Sequence, residues 1–166
     1  MRPAPDRIMA GGGRIVAAFE HSGPARALVH HLKYRGLTGF VDAAAAIIAP
    51  RLPKAVLVPV PRAVSRHLHY GVDPARLLAK ALARRLGTEV HAALAPPFHS
   101  PRRAGSDHRG PAHRFRLRRV VDGPVLLVDD VVTSGATLGS AAAAIGLDLV
   151  AGAAAANAVS EMRSLR

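Results

Sequence analysis

The fold of this chain is decided by the stretch Val125-Leu126-Leu127-Val128-Asp129-Asp130-Val131-Val132-Thr133-Ser134-Gly135-Ala136-Thr137. Four apolar residues after Gly123-Pro124 read as a fully buried strand. Two acids end it, and a loop of small hydroxyl residues and Gly opens a helix expected over Ala136–Ile145. In open α/β sheets, ligands bind at the carboxyl ends of strands. A helix N-terminus there supplies N–H groups and the positive end of a dipole, which suits a phosphate. Gly135 lets the backbone approach an anion closely. The hydroxyls of Thr133, Ser134 and Thr137 can donate to phosphate oxygens. Asp129 and Asp130 repel a bare phosphate, so they suit a neighbour with donors, such as the vicinal hydroxyls of a ribose, or a divalent cation. Phosphate beside a diol describes a ribose 5-phosphate.

Outward from this stretch, apolar runs alternate between strand and helix character. Ile15–Phe19 reads as a strand, Gly23–Tyr34 as a helix, and Phe40–Ala49 as a second helix stopped by Pro50. Ala55–Val60 is a buried strand between Pro53 and Pro61. The next helix has the strongest local signals: Asp73 suits the N-cap, Pro74 the first turn and Gly87 the residue past the end. Glu89–Leu94 reads as a short strand, and His99–Arg118, with Pro101, Gly105, Gly110 and Pro111, as a long mobile loop. Leu147–Val150 and Ala153–Val159 offer one or two last strands. Such alternation predicts an α/β fold with a central, mostly parallel sheet flanked by helices. One domain over residues 14–166 is expected, after a flexible Gly- and Pro-rich lead-in over residues 1–13.

Composition narrows the chemistry. The 166 residues include no Cys, which excludes disulfides, a thiol nucleophile and Cys-based metal sites. Aromatic residues make up 4% and Trp is absent, a poor basis for holding single strands mainly by base stacking. No apolar run is long enough to span a bilayer and no signal-peptide core is visible, so no membrane insertion and a cytoplasmic location are expected. The net charge of +12 calls for anionic partners. Half of it lies between Arg102 and Arg119, where seven Arg face one acid, Asp107.

The stretch around Asp129-Asp130 resembles the phosphoribosyl pyrophosphate (PRPP) motif of type I phosphoribosyltransferases: four apolar residues, two acids, two apolar residues, then Thr-Ser-Gly-Ala-Thr without a gap. A receiver domain also ends a strand in paired acids. Receivers place that pair early and need a further Asp well downstream; here 36 residues follow Asp130, and their sole Asp is Asp148. Two more segments resemble the ComF branch of the transferases, whose members are commonly described as amidophosphoribosyltransferase-like. They are His31-Leu-Lys33-Tyr34-Arg35-Gly36, and Val58-Pro59-Val60-Pro61-Arg62 followed by Gly71-Val-Asp73-Pro-Ala75. The similarity runs from about Ile15 to Val159. The chain departs from the ComF pattern in three ways. It has no Cys for the family's zinc finger, it reads Gly71-Val-Asp73-Pro74 where Gly-Phe-Asn-Gln is usual, and the segment before the PRPP motif is shortened.

The resemblance implies a type I phosphoribosyltransferase fold with a small hood, and a transferase that uses PRPP with Mg²⁺, held mainly through PRPP and by Asp129 and Asp130. It places the 5-phosphate on Thr133, Ser134, Gly135, Ala136 and Thr137, and the ribose hydroxyls on the catalytic Asp129 and Asp130. It assigns Arg62 and Arg66 to the pyrophosphate, and Lys33 and Arg35 can reach it too or stand as solvated charges at a helix end. Arg102, Arg103 and Arg109 belong to the implied flexible loop that closes over the reaction. Purine-salvage members carry an acid where Thr133 stands, which disfavours a purine acceptor and leaves the acceptor unidentified. The alternative is a basic protein on the same fold that acts in DNA uptake or competence. It would bind single-stranded DNA or an uptake partner through the Arg-rich stretch, or sense PRPP without turnover. A homodimer is compatible with either reading.

Overall fold

A computed structural model describes residues 3–8, 13–20, 38–62, 73–96, 115–132, 135–146 and 151–157. Its main sheet has five strands. They are β1 (Arg7–Ile8), β2 (Arg14–Glu20), β3 (Val56–Pro59), β6 (Val125–Val132) and β7 (Ala151–Asn157), in the order β1-β2-β7-β6-β3. All pairs are parallel except β1 with β2. Beyond β3, Val90 adds a single parallel bridge to Leu57. Three helices are described: α1 (Thr38–Ile48), α2 (Pro74–Leu86) and α3 (Ala136–Ile145). The fold is mixed α/β, as the alternating pattern predicts.

Strand alternation divides the core into two layers. Val16, Ala18, Leu57, Leu126 and Val128 face one way and pack under α1 and α2. Ile15, Ala17, Val58, Val125 and Leu127 face the other way and meet Leu138 and Ala141 of α3. The second layer also takes in Leu94 of a two-stranded antiparallel ribbon, β4 (Leu94–Ala95) with β5 (Arg116–Leu117). Because both faces are covered, these strands are near-continuous apolar runs.

α2 forms where local signals agree. The Asp73 carboxylate accepts the Arg76 N–H at 3.2 Å, Pro74 opens the first turn, and Gly87 ends the helix at φ 61°. α1 stops at Ile48, and Pro50 sits within a 3-10 turn over Ala49–Arg51. Arg51 then reaches back across the sheet and donates to the carbonyl oxygens of Ala17 (3.1 Å) and Ala4 (3.5 Å) and to Asp6. Residues 3–8, read from the sequence as part of a loose lead-in, lie along the β2 edge, with Ala4 buried and Arg7–Ile8 paired to Arg14–Ile15.

Three local expectations are corrected. β6 does not end at the acids but runs through them to Val132, because β7 continues to pair with it: Asp129 stands opposite Ala154 and Val131 opposite Ala156. Glu89–Leu94 is not a strand; Val90 alone bridges to Leu57 and the chain turns away to form β4. The expected loop over His99–Arg118 gives up its last residues to β5, which β4 recruits as an antiparallel partner. Of the two C-terminal candidates, Ala153–Val159 corresponds to the strand Ala151–Asn157, set between β2 and β6, and Leu147–Val150 lies outside the described residues.

Candidate functional site

From β3 the chain passes through α2 and moves outward to Val90. From β6 it passes through α3 and moves the opposite way to β7. The helices of these two crossovers lie on opposite faces of the sheet, as right-handed connections running in opposite directions require. β3 and β6 are neighbours, so their carboxyl ends form a topological switch point, the position where open α/β sheets hold ligands.

Arg62 and Asp130 meet at this point. β3 ends at Pro59, and the Val60 N–H still bonds the Val128 carbonyl at 2.8 Å. Pro61 then fixes φ and offers no N–H for further pairing, so the chain leaves the sheet there and delivers Arg62 beyond its edge. β6 continues past that level. Arg62 Nη2 donates to Asp130 Oδ2 at 3.0 Å, and the side chains are 13% and 14% exposed.

Asp129 and Asp130 also reshape their own strand. Backbone groups facing β3 alternate with those facing β7, and the Val128 carbonyl faces β3. Two residues on, the Asp130 N–H faces the side where β3 has run out, and Asp129 Oδ1 accepts it at 2.8 Å. Asp130 Oδ1 in turn accepts the Val131 N–H at 3.0 Å. The facing of β6 reverses here. Val131 packs against the first layer and Val132 lies in the second, opposite to strict alternation from Val128. No residue is inserted relative to β7, so the change is local to the acid pair.

α3 begins shortly after these acids. Gly135 holds φ 78°, a left-handed conformation that costs a side-chain-bearing residue about 1–2 kcal/mol. It lets the chain turn from strand to helix within a few residues. Its carbonyl accepts the Gly139 N–H at 2.9 Å, which closes the first helical turn. Gly135 carries no side chain to cap the helix, so the positive end of α3 stands a few residues beyond Asp130.

Among the sequence-selected residues, Arg62, Asp129, Asp130, Gly135, Ala136 and Thr137 therefore belong to one end of the sheet. Thr133, Ser134, Lys33, Arg35, Arg66, Arg102, Arg103 and Arg109 lie outside the described residues, as does the helix expected over Gly23–Tyr34. The direct bond between Arg62 and Asp130 had no signal in the sequence beyond the assignment of both to one ligand. Among the described residues, no group of three or more His, Asp or Glu side chains gathers to hold a metal ion. Two adjacent carboxylates nonetheless suit Mg²⁺, which commonly takes one or two protein carboxylates and completes its shell with water and substrate phosphates. No helix among the described residues is long and apolar enough to cross a membrane. No protein-family model matches the chain, and no similar curated protein is found.

Proposed function

We propose that the protein is a phosphoribosyltransferase of the ComF kind that binds PRPP with Mg²⁺ at the β3–β6 switch point, on a type I phosphoribosyltransferase fold. The observation that carries this reading is the convergence of Arg62 on Asp130 at that point, with the N-terminus of α3 a few residues beyond. The donor set matches the parts of the ligand. The helix N-terminus suits the 5-phosphate, Asp129 and Asp130 suit the ribose hydroxyls, and Arg62 suits the pyrophosphate. Breaking the bond from C1 to pyrophosphate builds positive charge on the ribose ring and negative charge on the leaving group. The carboxylates favour the first and Arg62 the second. Mg²⁺, when bound with PRPP, adds charge neutralisation on the leaving group.

Calorimetric titration of the protein with PRPP in the presence of Mg²⁺ tests this reading. Saturable binding is expected, and binding of no PRPP by the folded protein rules the reading out. Hydrolysis or transfer of the bound PRPP then separates an enzyme from a PRPP sensor.

A second reading has its own observation. Arg116, Arg118 and Arg119 are all exposed, and none makes an ion pair among the described residues. They are the last three of the seven arginines between Arg102 and Arg119, on and just after β5, a footprint suited to single-stranded nucleic acid. Binding at that surface does not exclude PRPP binding at the switch point.

A further inference from the structure

Arg116, Leu117, Arg118, Arg119 and Val120 are consecutive exposed residues on and just after β5. Arg116 and Arg118, two residues apart on an extended chain, share one face at a spacing of about 7 Å. The N–H groups of Arg118 and Arg119 both converge on the Ala93 carbonyl, at 2.7 and 3.4 Å. Two residues opposite one is the pattern of a β-bulge, which bends the strand and re-aims a side chain. Two adjacent arginines are thus both presented to solvent. Among the described residues, none of the three arginines makes an ion pair or a side-chain hydrogen bond.

Two large apolar side chains sit within this basic run. Leu117 is 40% exposed and Val120 is 71% exposed. They lie at the margin of the second core layer: Leu117 stands opposite the buried Leu94, and Val121, next to Val120, packs on that layer. Arginines and a bulge by themselves blunt the edge of a short ribbon. Leu117 and Val120 work against that role, because exposed apolar side chains invite contact. They also add nothing to the electrostatic grip on a phosphate backbone. Leu94–Ala95 and Arg116–Val120 include no aromatic residue on which a base could stack.

We infer that the β4–β5 ribbon docks a protein partner through an extended acidic segment whose carboxylates alternate with apolar side chains. Alternate residues of such a segment repeat at the same spacing of about 7 Å as Arg116 and Arg118. The carboxylates pair with the guanidinium forks, and the apolar side chains cover Leu117 and Val120. Arginine beside apolar side chains is the composition that marks protein interfaces. The nucleic-acid reading uses the same arginines, but only a protein partner uses Leu117 and Val120 as well.

Substitution of the two apolar residues therefore separates the partners. The probes are a synthetic peptide alternating Glu with Leu and an oligothymidylate of matched charge, each titrated by fluorescence anisotropy at fixed ionic strength. Wild-type protein is expected to bind the peptide more tightly than the oligothymidylate. Leu117→Thr with Val120→Thr keeps every charge and both β-branched or strand-compatible positions. It is expected to weaken the peptide about tenfold, the effect of leaving two part-exposed side chains in water, and to leave the oligothymidylate unchanged. Val120→Thr alone, at the more exposed position, gives a smaller loss of the same sign if the double variant does not fold. Binding of the oligothymidylate at least as tightly as the peptide, an unchanged peptide affinity in the folded variants, or no peptide binding by wild type overturns the inference. PRPP enters neither titration, so failure here and failure of the switch-point reading are observed separately.

Discussion

Arg62 and Asp130, 68 residues apart in the chain, are joined at 3.0 Å where β3 stops and β6 continues. Each is the other's compensation in a site that excludes most solvent. Removing one alone takes an ion-pair partner from a part-buried charge. Arg62→Ala is expected to lower stability by about 1–3 kcal/mol, less than for a fully buried pair because both side chains keep some water. Arg62→Ala combined with Asp130→Asn should cost less than the sum of the single changes. Denaturant unfolding of the four proteins in a double-mutant cycle measures this coupling.

Gly135 turns β6 into α3 at φ 78°. Gly135→Val is expected to cost about 1–2 kcal/mol, since a β-branched residue is poorly tolerated in that region. The same change should weaken PRPP by tenfold or more, because the first turn of α3 shifts and a side chain enters the path of the phosphate. Thermal unfolding and PRPP titration of the variant check the two effects together.

Asp73 caps the N-terminus of α2, the helix of the separate crossover that follows β3. Asp73→Ala is expected to lose about 1 kcal/mol of stability, and Asp73→Ser to recover most of it. Neither should alter PRPP affinity, which makes the pair a control for variants at the switch point.

Leu57 is fully buried on β3, the last strand in the sheet order, in the layer covered by α1 and α2. Leu57→Ala should destabilise the protein by about 2–5 kcal/mol through weakened packing and a residual cavity. Its midpoint in urea should fall without a change in slope.

Exposed Arg116, Arg118 and Arg119 give the nucleic-acid reading a direct check. If they neutralise phosphates, replacing all three with Gln should weaken single-stranded DNA binding. It should also make the salt dependence shallower, by about 0.7 in log–log slope for each phosphate left without its arginine. Fluorescence anisotropy across a salt series reads both quantities. No change in affinity or slope removes these residues from any nucleic-acid surface.

The elements legible in the sequence were those whose signals are local. α3 spans Ala136–Ile145 as expected, and α2 follows the cap, proline and terminal glycine that frame it. The misreadings share a physical cause: strand ends are set by partners, not by their own residues. Two acids signal a turn in isolation, yet β7 holds β6 in the ladder as far as Val132. Leu94–Ala95 became a strand only because Arg116–Leu117 came to lie beside it. At the site, residue types showed which groups suit phosphate, ribose and pyrophosphate. They did not show that Arg62 and Asp130 answer one another, since that bond exists only once β3 and β6 are side by side.

β7, which follows every other strand in the chain, is also the wedge between β2 and β6. During synthesis β2 must therefore wait for a neighbour that leaves the ribosome roughly 7–27 s later, at about 5–20 residues per second. Throughout that interval Ile15-Val16-Ala17-Ala18-Phe19 presents an apolar edge with no inner partner, a segment prone to pairing with the wrong strand. Yield of the native protein should depend on how that edge is shielded while the chain is still being made, and a holdase chaperone is the natural means.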